Sequence, residues 1–169
     1  MTADRPYHVL FLCTGNSARS IIAESLLRHW GGERFVAHSA GSHAAGQVQS
    51  LALTLLEQAG LPTDGLRSKG LEEFLAPDAP PIDFVITVCD HAAEHCPTFP
   101  GRPVTAHWGI PDPAAVDGSE AERCQAYRRA RADLERRIKL LLDLPLASLD
   151  RLSQQRELRA IANEEGETS

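Results

Sequence analysis

The first thirty residues constrain the fold most. An apolar run rich in β-formers, YHVLFL at residues 7–12, passes into a helical pattern at residues 20–30 through nothing more than CTGNSARS. A buried strand that enters a helix through so short a polar turn commits the chain to layered α/β packing, the helix lying back on a sheet. Ile22, Leu26 and Trp30, four apart, define the expected inner face of that helix, and Gly31-Gly32 ends it. The alternation continues. Short β-type runs recur at residues 35–38, 83–88 and, more weakly, 104–108. Between the second and third runs, Val48, Leu51, Ala52, Leu55, Leu56 and Ala59 form a helical stripe closed by Gly60. The longest helix, residues 119–143, opens on a capping box of Ser119 and Glu122, with Cys124, Tyr127, Leu134, Ile138 and Leu141 on its inner face. Pro145 breaks it, residues 148–161 read as a less regular helix, and residues 164–169 are expected to fray. The expected fold is α/β, a parallel sheet with helices on both faces.

A chain of 169 residues suits one domain. The expected boundaries are a core domain over residues 1–144 and a helical C-terminal extension over 145–169. Apolar residues at 43% and charged residues at 24% exclude long disorder. A net charge of −6 argues against nucleic acid as a partner, because the phosphate backbone demands a basic face. No apolar run approaches the roughly 18 residues of a membrane span, and the first one is too short for a signal peptide. The cytoplasm is the expected compartment, with no membrane partner. Four cysteines there are expected to be buried, metal-bound or reactive rather than structural disulfides.

Cys13, Thr14, Gly15, Asn16, Ser17, Ala18, Arg19 and Ser20 fall between the strand and the helix start, where free backbone N–H groups and the positive dipole end make an anion cradle. Gly15 is expected to adopt backbone angles closed to other residues, and Asn16 tolerates the left-handed region. Arg19 supplies a planar fork for tetrahedral oxyanions. A cysteine in that field is expected to be a thiolate, with Ser20 donating a hydrogen bond to it. Cys-x5-Arg alone is weak, since chance supplies it in about one chain in three of this composition. The strand–turn–helix setting with Gly15 and Asn16 is what makes it strong.

That loop resembles the low-molecular-weight protein tyrosine phosphatase superfamily, and within it the thioredoxin-coupled arsenate reductases. The resemblance runs over residues 7–144 through Ser39-Ala40-Gly41, the VITVCD string ending at Asp90, His107-Trp108-Gly109 and Asp112-Pro113. It implies a three-layer sandwich, a four-stranded parallel sheet flanked by helices. It implies arsenate as substrate, Cys13 as nucleophile, Arg19 as oxyanion clamp and Asp112 as general acid, with no cofactor or resident metal. The phosphatases commonly carry Asp-Pro-Tyr where this chain has Asp112-Pro113-Ala114, so the ring that packs on an aryl substrate is missing. Several reductases hold a potassium ion behind the loop through an Asn, a Glu, a Ser and an Asp. The matching positions are Asn16, Glu24, Ser39 and, in place of the Asp, Lys69. A lysine ammonium is itself a compact cation, so Lys69 is expected to occupy the ion's place and brace the loop.

Cys89 and Cys96, with His91 and His95 between them, follow the third strand. Three readings stay open: a thiol relay to Cys13, a zinc site of Cys89, His91, His95 and Cys96, or two core thiols. The resemblance favours the relay, because the reductases carry this pair and the simple phosphatases do not. It implies a Cys89–Cys96 disulfide reduced by thioredoxin, or by glutaredoxin. Cys124 reads as a core residue, Trp108 likewise, and His8, His29 and His38 as isolated. The alternatives to arsenate reduction are a phosphomonoesterase using only Cys13, Arg19 and Asp112, and a non-catalytic oxyanion-binding or redox-sensing module.

Overall fold

The computed structural model describes residues 5–94 and 96–163. Its centre is a four-stranded parallel sheet in the order β2-β1-β3-β4, with β1 Tyr7–Cys13, β2 Phe35–Gly41, β3 Phe84–Thr87 and β4 Val104–His107. The two middle strands carry the most apolar runs. Val9, Leu10, Phe11, Val85 and Ile86 are fully buried, as a sheet covered on both faces requires.

Among the described residues six α-helices surround the sheet: α1 Arg19–Gly31, α2 Ser50–Gln58, α3 Glu72–Leu75, α4 Asp90–Glu94, α5 Glu120–Leu142 and α6 Arg151–Ile161. Alternate strand residues face opposite layers. Ser39 meets Glu24 of α1 on one side, and His38 meets Phe74 of α3 on the other. α5 packs on α1, and α6 on β4, where buried Trp108 donates from Nε1 to the Leu158 carbonyl at 3.0 Å. Leu146, Leu158 and Ile161 are buried, so the segment after Pro145 shares the core of the sheet. The capping box forms in both directions: Glu122 N donates to Ser119 Oγ at 3.1 Å, and Ser119 N to Glu122 Oε1 at 2.8 Å. α6 is a regular helix capped by Asp150, whose side chain accepts from Ser153 N. Residues 164–169, where fraying was expected, lie outside the described residues. No helix among the described residues is long and apolar enough to cross a membrane.

Several expectations are corrected. Trp30 is 44% exposed, with the Lys139 ammonium 4.4 Å above its ring. Steps of four overshoot the helical repeat, so Trp30 stands about 80° round from Ile22. Cys124 is half-buried at the N-terminal end of α5, where residues 120–123 and 125 are exposed and the core begins only at Tyr127. His8 and His38 are not isolated: their rings stack at 5.2 Å with Nδ1 and Nε2 2.9 Å apart. Burial lowers His8, and burial with His8 and Lys69 nearby lowers His38 to about 4, so the pair is neutral at physiological pH.

Candidate active site

In a parallel sheet whose order reverses between β1 and β3, the crevice lies at the carboxyl ends of those two strands. Both lead into the candidate residues. β1 ends on Cys13, and β3 is followed by Val88 and Cys89.

The loop from Cys13 to Arg19 is shaped by where its carbonyls go. Those of Cys13, Thr14, Gly15 and Ser17 accept from the backbone amides of Ser42, His43, Ala45 and Gln49 at 2.8–3.1 Å, and Gly15 O also accepts from Ser68 Oγ. All these acceptors are thus tied to the segments after β2. A trans peptide directs N–H opposite to C=O. The amides of Thr14, Gly15, Asn16 and Ala18 are therefore turned to the concave side, at the start of α1. Ala18, the N-cap, places no side-chain oxygen over those amides. The left-handed residue of the loop is Asn16 (φ 48°); Gly15 does not take positive φ, which corrects the role expected of it. The tight fit falls instead on Gly41, where a Cβ would stand 2.6 Å from Thr14 O and 3.0 Å from Asn16 N.

Cys13 and Cys89 are buried. Cys13 Sγ is 2.9 Å from Ser20 Oγ, which in turn accepts from Asn16 Nδ2 at 2.7 Å. A hydroxyl whose lone pair is so occupied is turned to donate to the sulfur. Cys89 Sγ lies 3.2 Å from Thr14 Oγ1, in direct contact with the residue after Cys13. Cys96 is half-buried with its thiol directed at Pro97 O, and burial pushes that thiol up. The stretch between them contains α4. Its first residue accepts at Asp90 Oδ1 from His107 Nε2 (2.8 Å), while His107 Nδ1 meets Thr87 Oγ1 (2.8 Å), a chain with no signature in spacing. Of the zinc reading, His95 lies outside the described residues, and no cluster of three or more metal-ligating side chains occurs among the rest.

Arg19 is largely buried. It donates to Ile110 O at 3.0 Å and stands 3.6 Å from Asp112 Oδ2. Asp112 is 41% exposed in its side chain and fixed by Pro111, Pro113 and an Ala114 N bond to Oδ1. A cleft of about 410 Å³ runs between Arg19, Cys89, Asp90 and Asp112.

Behind the loop, Asn16, Glu24, Ser39 and Lys69 come together. Lys69 Nζ is 3.4 Å from Ser39 Oγ and 3.9 Å from Glu24 Oε1, with its side chain 9% exposed. Ser39 Oγ donates to Glu24 Oε1 at 2.6 Å, and Arg28 to Oε2 at 2.9 Å. Asn16 Oδ1 accepts from the backbone amide of Lys69 at 2.8 Å rather than from its ammonium. Burial pulls Lys69 down from the usual lysine range, and Glu24 opposes this.

A parallel α/β sheet with a cysteine at the end of β1, a loop whose amides turn inward and an arginine at the start of the next helix defines a class of α/β proteins. The chain belongs to the low molecular weight phosphotyrosine protein phosphatase family, whose model matches residues 8–156. It is 36% identical over 131 residues to an arsenate reductase of Halalkalibacterium halodurans, covering 78% of this chain and 91% of that one. The structure resembles an arsenate reductase of Archaeoglobus fulgidus, with TM-score 0.64 and 31% identity over 80% of this chain and 99% of the other. It also resembles a thioredoxin-dependent arsenate reductase of Corynebacterium glutamicum, with TM-score 0.57 and 28% identity over 83% and 65%.

Gly41→Ala is expected to distort the loop it abuts. Catalytic efficiency toward any oxyanion substrate should fall at least about tenfold, while the melting temperature drops only a few degrees, since the backbone, not the core, must give. Steady-state kinetics beside a thermal melt check this; an Ala variant with unchanged kinetics contradicts it.

Proposed function

We propose that the protein reduces arsenate to arsenite through a three-thiol relay, using a thioredoxin-type dithiol protein as electron donor in the cytoplasm. Cys13 thiolate attacks arsenic in the amide cup, Arg19 holds two of the oxygens, and Asp112 protonates the oxygen that leaves as water. Cys89 then attacks Cys13 Sγ. The S–As bond breaks, its electron pair stays on arsenic, and arsenite departs, leaving a Cys13–Cys89 disulfide. Cys96 attacks Cys89 Sγ, frees Cys13 as thiolate, and forms the Cys89–Cys96 disulfide that the donor reduces.

The observation that carries this reading is the seat of Cys89. A second thiol lies against the loop, 3.2 Å from Thr14 Oγ1, and a third follows at the far end of α4. A phosphomonoesterase needs neither. Ala114 also leaves no ring over the cleft beside Asp112, which favours a small inorganic oxyanion over an aryl ester. For Cys96 to reach Cys89 the segment between them bends or unwinds locally, since a disulfide needs Cα atoms within about 7 Å and the five helical residues of α4 alone rise about 7.5 Å. Its five residues carry no bulky apolar side chain.

Arsenate-dependent oxidation of reduced thioredoxin, run beside aryl phosphate hydrolysis in wild type and Cys96→Ser, tests this. The variant should lose more than about a hundredfold of the first and stay within a few-fold on the second, because only the relay uses Cys96. Brisk ester hydrolysis with no arsenate turnover in wild type would establish the phosphatase instead.

Lys69 is proposed to brace the loop as a built-in cation. Through Ser39 and Glu24 it holds the end of β2 and α1, and its amide holds Asn16. Exchange of potassium for sodium at constant ionic strength is expected to leave the rate unchanged. Lys69→Ala should weaken oxyanion binding, with partial rescue by potassium. A strong potassium requirement in wild type overturns the assignment.

A further inference from the structure

Cys96 does not face the catalytic cleft. It lines a separate groove of about 660 Å³, which shares no lining residue with the cleft of Arg19 and Asp112. The groove lies along β4, between the segment after Cys96 and the end of α6. Arg102, Thr105, His107 and Arg159 line it, and among the described residues no carboxylate does. That is unusual for a chain with net charge −6. Arg159 is oriented by a 3.3 Å bond from Nε to the Thr105 carbonyl. Arg159, Ala162 and Asn163 lie past residue 156, where the family match ends, so this wall belongs to the chain's own C-terminal segment.

We propose that this groove is the docking surface for the protein that reduces the relay disulfide, an acidic-faced dithiol protein whose thiol-bearing loop seats between Arg102 and Arg159. The inference rests on the relay reading and adds the surface the donor uses. Cys89 is buried, whereas Cys96 is half-buried and open to the groove. In the proposed exchange the donor's first thiolate attacks Cys96 Sγ, the sulfur that lines the groove in the reduced form. An intermolecular S–S bond forms, the Cys89–Cys96 bond breaks, and Cys89 leaves as thiolate. The donor's second thiolate then attacks its own first sulfur and releases Cys96 as thiolate, so the donor ends as a disulfide and two thiols are restored. A basic rim speeds the encounter with an acidic partner and makes it salt-dependent. A protein interface of standard size spans about 800 Å² per partner, so the groove takes one loop while its rim meets the surrounding face.

The test uses the full chain, oxidised to the Cys89–Cys96 disulfide and mixed with a reduced bacterial thioredoxin, with no arsenate present. Arg102→Glu combined with Arg159→Glu should slow reduction at least about tenfold and flatten its dependence on salt. Reduction by dithiothreitol, which is uncharged, should stay within twofold. Arg128→Glu combined with Arg129→Glu, an equal charge change on exposed residues of α5 outside the groove, should have no effect. If the double variant melts early, Arg102→Glu alone, at an exposed side chain, should still slow the reaction severalfold. Full-speed reduction of the reversed variants by thioredoxin overturns the proposal. So does an arginine-dependent reduction by glutathione as fast as by thioredoxin, which makes the groove a small-thiol site. A wild type that releases no arsenite in a single turnover refutes the relay reading instead, whatever the groove variants do.

Discussion

Everything at the site depends on the outward tether of the loop carbonyls. Amides of Ser42, His43, Ala45 and Gln49 hold the carbonyls of Cys13, Thr14, Gly15 and Ser17, and peptide planarity then leaves the loop's own N–H groups nowhere to point but inward. Those amides, added to the N-terminal end of α1, form an electropositive cup in a chain whose net charge is negative. The strand β2 serves the site as much as the sheet. It ends on Gly41, whose missing side chain lets the tethering segment approach within bonding distance.

The sheet order then places the second thiol of the proposed relay. Because β1 and β3 are neighbours, the thiol that follows β3 comes up beside the loop that follows β1. One face of β3 and β4 also carries Thr87 and His107, which hold Asp90 and with it the start of α4. Reactive groups on adjacent strand ends are positioned by the most rigid part of the fold. The element that the proposed relay would rearrange, α4, is a short helix with few anchors. The rigid half suits oxyanion capture and the weak half suits disulfide transfer, within one continuous core.

Local patterns were legible in the sequence; meetings across the chain were not. The strands, the Ser119–Glu122 box, the left-handed tolerance of Asn16 and the burial of Trp108 all follow from residue type and spacing. Gly41 stood inside the recognisable string Ser39-Ala40-Gly41, but its reason, a carbonyl 2.6 Å from an absent Cβ, needs the fold. The same holds for the His8–His38 stack, whose members sit on adjacent strands 30 residues apart. Trp30 was misplaced because steps of four drift round the helix, and Cys124 because a stripe marks a direction and not where the core beneath it ends. α4 escaped because five residues are too few for any period to register.

The central claim, an inward-facing amide cup that captures tetrahedral oxyanions, is tested most directly by titrating the reduced, isotopically labelled protein with inorganic phosphate and following backbone amide resonances. The Thr14, Gly15, Asn16 and Ala18 amides should shift together and saturate with one dissociation constant. If phosphate binds while those four amides stay unmoved, the cup is not where the anion goes.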